Sequence, residues 1–343
     1  QQFKKYFTGE LDALKDFGAA HVVSIQKCFR TSDIEEVGDK THLTFFEMLG
    51  NFSFSNYSKK EVIAAAYELL VEVYKIHSDR ITVTVFAGDM VVPFDKESYD
   101  IWHGVIGLAE KKISKHGRAD NFWGPTGNEG PCGPTTEIYV DGIEVWNLVF
   151  NEFYQKADKT LEQSKTPGID TGMGFERLTA VLQGVENIFE TDLFQPLLSK
   201  VNELVPSLND RIVRIIVDHI RASIFLIGDG VRPSNKEAGY ILRRLMRRVM
   251  AYIMKFETKV DFFAPVLKLV QDKMGDIYLE INKMEEIKKV WETEQKKFNA
   301  VVGSGLKELA RHKTLDAKNA FAIYESFGLP FELIKEFALP EAV

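Results

Sequence analysis

No stretch of this sequence approaches the ~20 consecutive apolar residues that a membrane-spanning helix requires. The N-terminus, Gln1-Gln2-Phe3-Lys4-Lys5, has no apolar core after its lysines and does not read as a signal peptide. It also lacks an initiator Met, so either a fragment or a chain whose start is not given is expected. Only two cysteines are present, Cys28 and Cys132, too few for a disulfide framework, and no four Cys or His stand at zinc-ligand spacing. A reducing compartment, the cytoplasm, is the expected location. Internal repeats and low-complexity tracts are also lacking. What remains is an ordinary packed composition: 343 residues, 45% hydrophobic and 27% charged. That length suggests about two domains. The formal net charge of −7 excludes a protein that simply coats nucleic acid. The average hides an asymmetry, however. Residues 231–255 hold seven basic residues (Arg232, Lys236, Arg243, Arg244, Arg247, Arg248 and Lys255) against the single acid Glu237, a local +6. A basic patch on an acidic chain reads as a local polyanion site.

The first ~190 residues alternate β-like runs, helices and glycine-rich loops; residues 191–343 read as almost entirely helical. Residues 21–30 alternate, with Val23, Ile25 and Phe29 on one face and Ser24, Gln26, Cys28 and Arg30 on the other. Residues 43–49 form a second strand, joined to the first across Asp33, Glu35, Glu36, Asp39 and Lys40, which predicts a long hairpin. Ser58 and Glu61 match a capping box that opens a helix to about residue 76. Residues 81–86 and 144–153 are further strands. Residues 120–142 hold four glycines and three prolines before Gly142 and read as a rigid shaped loop. Helices are expected over 211–227, around 241–250, and over 281–311, 317–327 and 331–337, with a domain boundary between 184 and 194.

Several side chains carry possible chemistry. Arg30 is either an edge ion pair or a fork for phosphate or carboxylate. His42, Phe45, Phe46 and Glu47 return on the partner strand, where an aromatic ring either packs in the core or stacks on a planar base. Trp123 is a pocket wall or a plug for its loop. Asn147 and Val149 share a face, a polar group beside a small apolar one. Gly168-Ile-Asp170-Thr-Gly172-Met-Gly174-Phe-Glu-Arg177 is the most telling segment, because its alternating glycines permit close backbone approach to a ligand. A helix begins near Gly174, which places Arg177 in its first turn. A cation there opposes the helix dipole by about 0.3–1 kcal/mol, unless a bound anion reverses the sign. Otherwise Arg177 pairs with Glu176 or Asp170. Asp170 either receives an ammonium or caps the helix.

In chain order these segments resemble the catalytic and tRNA-recognition part of the alanyl-tRNA synthetases, a class II family. The likeness is carried by Thr44-Phe-Phe-Glu-Met-Leu-Gly-Asn-Phe-Ser-Phe54, Asp120-Asn-Phe-Trp123, Gly130-Pro-Cys-Gly-Pro134 and Glu144-Val-Trp-Asn-Leu-Val-Phe150. It continues through Asp170-Thr-Gly-Met-Gly-Phe-Glu-Arg177, Asp218-His-Ile-Arg221, Arg232-Pro-Ser-Asn235 and Leu242-Arg-Arg244, so it spans nearly the whole chain. The resemblance implies an α+β fold: a class II antiparallel sheet flanked by helices over residues 1–190, then a helical domain for the tRNA acceptor stem over 191–343. It implies activation of alanine by ATP and transfer to the 3′ end of tRNA(Ala), with Mg²⁺ and without a side-chain nucleophile. Arg30 would take the ATP α-phosphate and the alanine carboxylate, and Arg177 the γ-phosphate. His42, Glu47, Met48 and Gly174 would lie along the nucleotide, and Phe46 or Phe45 would stack on adenine. Trp123, Asn147, Val149, Asp170 and Gly172 would form the alanine pocket, with Asp170 on the ammonium.

In the helical domain the resemblance makes Asn235 a reader of the acceptor-stem G·U pair. Glu332, after Gly328-Leu-Pro330, stands where the family has an aspartate, and Arg243, Arg244, Arg247 and Arg248 would hold backbone phosphates. Relative to the family, motif 1 begins upstream of Gln1, and the zinc-dependent editing and oligomerising domains lie beyond Val343. No zinc and a monomer are therefore expected. A rival reading is an acceptor-stem binding module that retains the fold and lacks the chemistry.

Overall fold

The structure is a computed structural model. It describes every residue except 1–2, 126, 257–259, 313–314, 328, 330–333 and 336–343, and it does not describe the side chains of 255 and 301–303. In chain order the elements are α1 (Lys4–Phe7), α2 (Ala13–Phe17), β1 (His21–Phe29), β2 (Phe45–Phe54), α3 (Lys59–Glu68), β3 (Ile81–Phe86), α4 (Lys96–Asp100), β4 (Ile113–His116), α5 (Arg118–Asn121) and β5 (Phe122–Trp123). They continue as β6 (Gly130–Val140), β7 (Ile143–Gln155), β8 (Leu161–Gly174), α6 (Phe175–Gln183), α7 (Gln195–Leu204), α8 (Asp210–Gly228), α9 (Glu237–Lys255), α10 (Phe263–Met274), α11 (Met284–Leu309) and α12 (Ala317–Phe327). This is the mixed α+β class, and none of the described helices is long and apolar enough to cross a membrane.

The chain divides into two compact units. One comprises Gln1–Cys28 with Phe46–Ile188, the other Phe29–Phe45 with Phe189–Val343. The grouping of Phe29–Phe45 with the helices has hydrogen bonding as its physical cause. The Thr44 N–H donates to Asp218 Oδ1 at 2.9 Å, and Arg248 and Arg214 donate to the carbonyls of Ile34 and Gly38 at 2.8 and 3.2 Å.

In the first unit the strands run in the order β1-β2-β8-β7-β6-β3-β4, with β5 beside β6. The pairings of β2 with β8, β8 with β7, β7 with β6 and β6 with β3 are antiparallel; β3 and β4 are parallel. Paired residues share a face of the sheet. One face carries Ile81, Val83 and Val85, Ile138 and Val140, Trp146, Leu148 and Phe150, and Ile169 and Met173. It packs against Val62, Ile63 and Ala66 of α3 and Leu178 and Val181 of α6, together with Trp102. The α3 helix opens on the expected capping box: Ser58 Oγ accepts from the Glu61 N–H, and the Glu61 carboxylate accepts from the Ser58 N–H at 2.7 Å. The helix proper ends at Glu68, and a π turn over Leu69–Val73 follows it.

Residues 130–140, expected as loop, form β6. The glycines and prolines that suggested a loop lie at its start, where the pairing with β7 shifts register between Cys132 and Thr135. Gly133 is required there, because a Cβ would stand 1.8 Å from the Phe150 carbonyl oxygen. On β1 the apolar face is the open one: Val23 and Ile25 are exposed, and Ser24 and Gln26 are half-buried.

The second unit is helical. The α8 helix is buried along nearly its full length. Leu242, Leu245, Met246, Val249 and Met250 form the buried stripe of α9, and Phe263 stacks on Trp291 with ring centroids 4.1 Å apart. The helix expected over 331–337 lies largely outside the described residues.

Candidate functional site

The other face of the sheet is polar. Cross-strand register makes two adjacent rungs. The first runs Thr84, Glu137, Asn147, Gly172; the second runs Thr135, Val149, Asp170, Phe52. The sequence therefore places Asp170 directly opposite Val149, and Asn147 directly opposite Gly172. Gly172 leaves room that Met48 fills, since a Cβ there would lie 2.5 Å from the Met48 sulfur. Phe3 closes the end of the second rung against Phe52, with centroids 4.3 Å apart.

Asp170 is half-buried, and its carboxylate has no hydrogen-bond or ion-pair partner among the described residues. Burial pushes its pKa up to about 6. A carboxylate in this environment favours a cation beside it. The neighbouring polar groups are acceptors as well. Asn147 Nδ2 donates to Glu137 Oε1 at 3.3 Å, leaving Asn147 Oδ1 buried without a partner. Asn121 Nδ2 donates to Thr84 Oγ1 at 2.7 Å and to the Thr135 carbonyl at 3.2 Å, leaving Asn121 Oδ1 in the same condition. A carbonyl accepts only, so the orientation of the Asn121 amide follows from its partner. An ammonium offers three donors and no acceptor, the complement of Asp170 and of Asn147 Oδ1 on the adjacent rung.

Glu137 anchors the first rung. Tyr139 OH donates to its Oε2 at 2.7 Å and Thr84 Oγ1 donates at 3.3 Å; burial raises its pKa. The sequence reading missed Glu137, Asn121 and Thr84. The alternation of Thr135, Glu137 and Tyr139 with Thr136, Ile138 and Val140 was the available signal, hidden by the reading of this stretch as a loop.

Arg177 lies in the first turn of α6, as expected from the helix start at Gly174. Its partner is neither Glu176 nor Asp170. Nη1 donates to Glu144 Oε2 at 3.0 Å and to the Glu144 carbonyl at 3.2 Å. The buried Glu176 carboxylate instead accepts the Glu47 N–H at 3.1 Å, tying β2 to α6. Trp123 is about half exposed, at 47%, on the short strand paired with Gly133.

Arg30, His42 and Phe45 belong to the second unit, and Phe46 to the first. The Arg30 N–H donates to the Thr44 carbonyl at 3.0 Å, and the half-exposed Arg30 side chain lies 3.7 Å from Asp33. His42 Nδ1 is 2.6 Å from Asp39 Oδ2. Phe45 is fully buried and stacks on Phe225 with centroids 4.1 Å apart and planes at 21°. A ring filled on that side cannot take a base, so the expected stacking role for Phe45 is corrected. Phe46 is half-buried.

On α9 the arginines are engaged within the protein. Arg243 and Arg247 reach the buried Glu294 at 3.5 and 2.8 Å; Arg243 also donates to Asn235, and Arg244 pairs with Glu35. Arg248 is 5% exposed and donates to the Ile34 carbonyl and to His219 Nε2. Its expected role on a tRNA phosphate is corrected, because its guanidinium is spent inside the fold. Asn235 is exposed, and Glu332 lies outside the described residues.

The chain matches the family model described as tRNA synthetases class II (A) over residues 1–342. It is similar to the alanine--tRNA ligase of Rubrobacter xylanophilus, at 40% identity over 377 residues, covering 98% of this chain and 42% of that protein. It is also similar to the alanine--tRNA ligase of Thermotoga maritima, at 39% identity over 374 residues, covering 99% and 42%. Among solved structures, the aspartyl tRNA synthetase of Entamoeba histolytica aligns with 56% of this chain and 50% of that chain, at 15% identity and a TM-score of 0.34. The chain thus spans 42% of the length of these curated relatives.

Proposed function

The chain belongs to the class II tRNA synthetases (A), and from that premise we propose that it activates alanine with ATP and transfers the alanyl group to the 3′ end of tRNA(Ala). The observation that carries this reading is Asp170: a carboxylate without a partner among the described residues, opposite a small apolar side chain and one rung from the unpaired amide oxygen of Asn147. Asp170 receives the α-ammonium of alanine, with Asn147 Oδ1 beside it. Val149 meets the methyl group, and Gly172 keeps the floor low. Trp123 walls the pocket.

Arg30 takes the α-phosphate and the alanine carboxylate, Phe46 stacks on adenine, and His42, Glu47, Met48 and Gly174 lie along the nucleotide. Arg177 exchanges Glu144 for the γ-phosphate at the N-terminus of α6, where free N–H groups and the helix dipole favour an anion. The carboxylate oxygen of alanine attacks the α-phosphorus as the bond to the bridging oxygen breaks, releasing pyrophosphate. The 3′-terminal hydroxyl of the tRNA then attacks the alanyl carbonyl and AMP leaves. Positioning and charge neutralisation suffice for both steps. Among the described residues no three His, Cys, Asp or Glu side chains cluster as a metal cage. Mg²⁺ carried on substrate phosphates needs only one or two protein carboxylates, and Glu144, beside Arg177, has that chemistry.

Asn235 reads the acceptor-stem G·U pair, and Arg243, Arg244 and Arg247 hold phosphates by exchanging their internal partners. Alanine-dependent ATP–pyrophosphate exchange by this chain tests the activation step. Its absence while the acceptor stem still binds favours the binding-module reading. Asn235→Ala is expected to leave exchange unchanged and to lower discrimination between G·U and G·C acceptor stems by about tenfold, the value of one lost polar contact of 1–2 kcal/mol. A fall in exchange would show Asn235 to be misassigned.

A further inference from the structure

The residues reported above leave one network outside the reaction. It is buried, polar and built from the Asp218-His-Ile-Arg221 string of α8 together with Arg248 of α9. Asp218 Oδ1 accepts the Thr44 N–H at 2.9 Å, and the Thr44 carbonyl accepts the Arg30 N–H at 3.0 Å. One residue, Thr44, therefore separates Asp218 from the Arg30 backbone. Asp218 Oδ2 lies 2.8 Å from His219 Nδ1, and His219 Nε2 lies 3.2 Å from Arg248 Nη1. A guanidinium only donates, so Nε2 is the acceptor and Nδ1 carries the proton to Asp218. Arg248 Nη1 also donates to the Ile34 carbonyl at 2.8 Å. Arg221 donates to the Phe45 carbonyl at 3.0 Å, with its guanidinium 4.6 Å from the Phe45 ring centroid and 5.1 Å from that of Phe194.

These contacts grip the segment Phe29–Phe45 at 34, 44 and 45, beyond the residue whose guanidinium it presents. Asp218, His219, Arg221 and Arg248 are each no more than 5% exposed, whereas the Arg30 side chain is 49% exposed. The segment thus has a fixed backbone and an open tip. Apolar side chains of the same volume would hold it as firmly. A satisfied polar network adds a single register, because each donor accepts only one arrangement of carbonyls. Register matters for a side chain that must meet one phosphate.

We infer that Asp218, His219, Arg221 and Arg248 are positioning residues that fix the backbone carrying Arg30 and thereby set how tightly ATP is held. The inference rests on the reading of Arg30 as a phosphate ligand. It assigns the string Asp218 to Arg221 an indirect role in nucleotide binding, exerted through the backbone of residues 30–45.

The test measures ATP–pyrophosphate exchange on the whole chain with Asp218→Ala and Asp218→Asn. Asp218→Ala is expected to raise the ATP and alanine KM values together, each by about tenfold, because Arg30 meets both substrates, and to lower kcat. Asp218→Asn keeps an oxygen for the Thr44 N–H and is expected to raise the ATP KM less. Amide exchange at Arg30 and Thr44 should quicken in Asp218→Ala, while β7 and β8 keep their protection. Should Asp218→Ala fail to fold, Arg248→Lys serves in its place. It retains a donor for the Ile34 carbonyl, loses the bond to His219, and should raise both KM values. Unchanged KM values with only kcat lowered, or an Asn variant as impaired as the Ala variant, overturn the inference. Absence of exchange in the wild type overturns the proposed function instead, and the amide measurements at Arg30 and Thr44 then decide the positioning role.

Discussion

Replacing Asp170 with asparagine is expected to abolish alanine-dependent exchange and, at the same pH, to make the fold more stable. The two effects have one cause. An aspartate whose pKa rises from 3.8 to about 6 on folding binds its proton more tightly in the folded state. Its contribution is therefore most favourable below pH ~4, and it is lost as pH rises through 6. At neutral pH the ionised group opposes folding by up to about 3 kcal/mol, from ~2 pK units at 1.36 kcal/mol each. Asparagine carries no charge, so this cost disappears, and the melting temperature should rise by several degrees. The same change removes the partner of a buried substrate ammonium. Breaking a buried ion pair costs about 3–5 kcal/mol, a loss on the order of 10²–10³ in kcat/KM for alanine. Thermal melts and exchange kinetics on one preparation read both. A variant that loses activity and stability together would make Asp170 a structural residue.

The second large effect is on folding alone. Gly133→Ala is expected to prevent accumulation of folded protein, or to lower its stability by more than about 4 kcal/mol. A Cβ at this position meets the Phe150 carbonyl oxygen at 1.8 Å, its carbon at 2.9 Å and the Glu152 nitrogen at 3.1 Å. All three are backbone atoms of β7, the central neighbour of β6, and none can rotate away. Relief requires the two strands to separate at the register shift, which breaks the pairing that places Glu137 opposite Asn147 and Thr135 opposite Val149. Gly117→Ala is the control, because nothing lies within 4 Å of a Cβ there. Equal melting temperatures for the two variants would show that the strands tolerate the separation.

Local signals were legible wherever a short stretch determines its own geometry. The Ser58 and Glu61 capping box, the helix start after Gly174 and the apolar stripe of α9 are each complete within a few residues. The polar face of the sheet was only half visible. Asn147, Val149, Asp170 and Gly172 stood out singly, and strand register unites them. Glu137 and Asn121 escaped notice because glycine and proline at 130–134 mark a register shift as readily as a loop. Partners distant in sequence were least accessible. Nothing near Arg248 announces Ile34, 214 positions away, and nothing near Arg177 announces Glu144. A cluster of arginines therefore reads as an open basic face until the carboxylates and carbonyls that engage it are located. Phe45 and Phe46 show the same limit: adjacent and identical, they differ in that Phe225 and Arg221 cover Phe45.

The pH dependence of alanine recognition bears most directly on the site. With ATP saturating at each pH, the alanine KM is expected to stay level above pH ~6.5 and to rise about tenfold for each unit below ~6, as the Asp170 carboxylate takes up its proton. Glu137→Gln, which removes the other buried carboxyl of this face, should keep that inflection. An alanine KM that is flat through this range, or an inflection that vanishes with Glu137, would contradict the assignment of the substrate ammonium to Asp170.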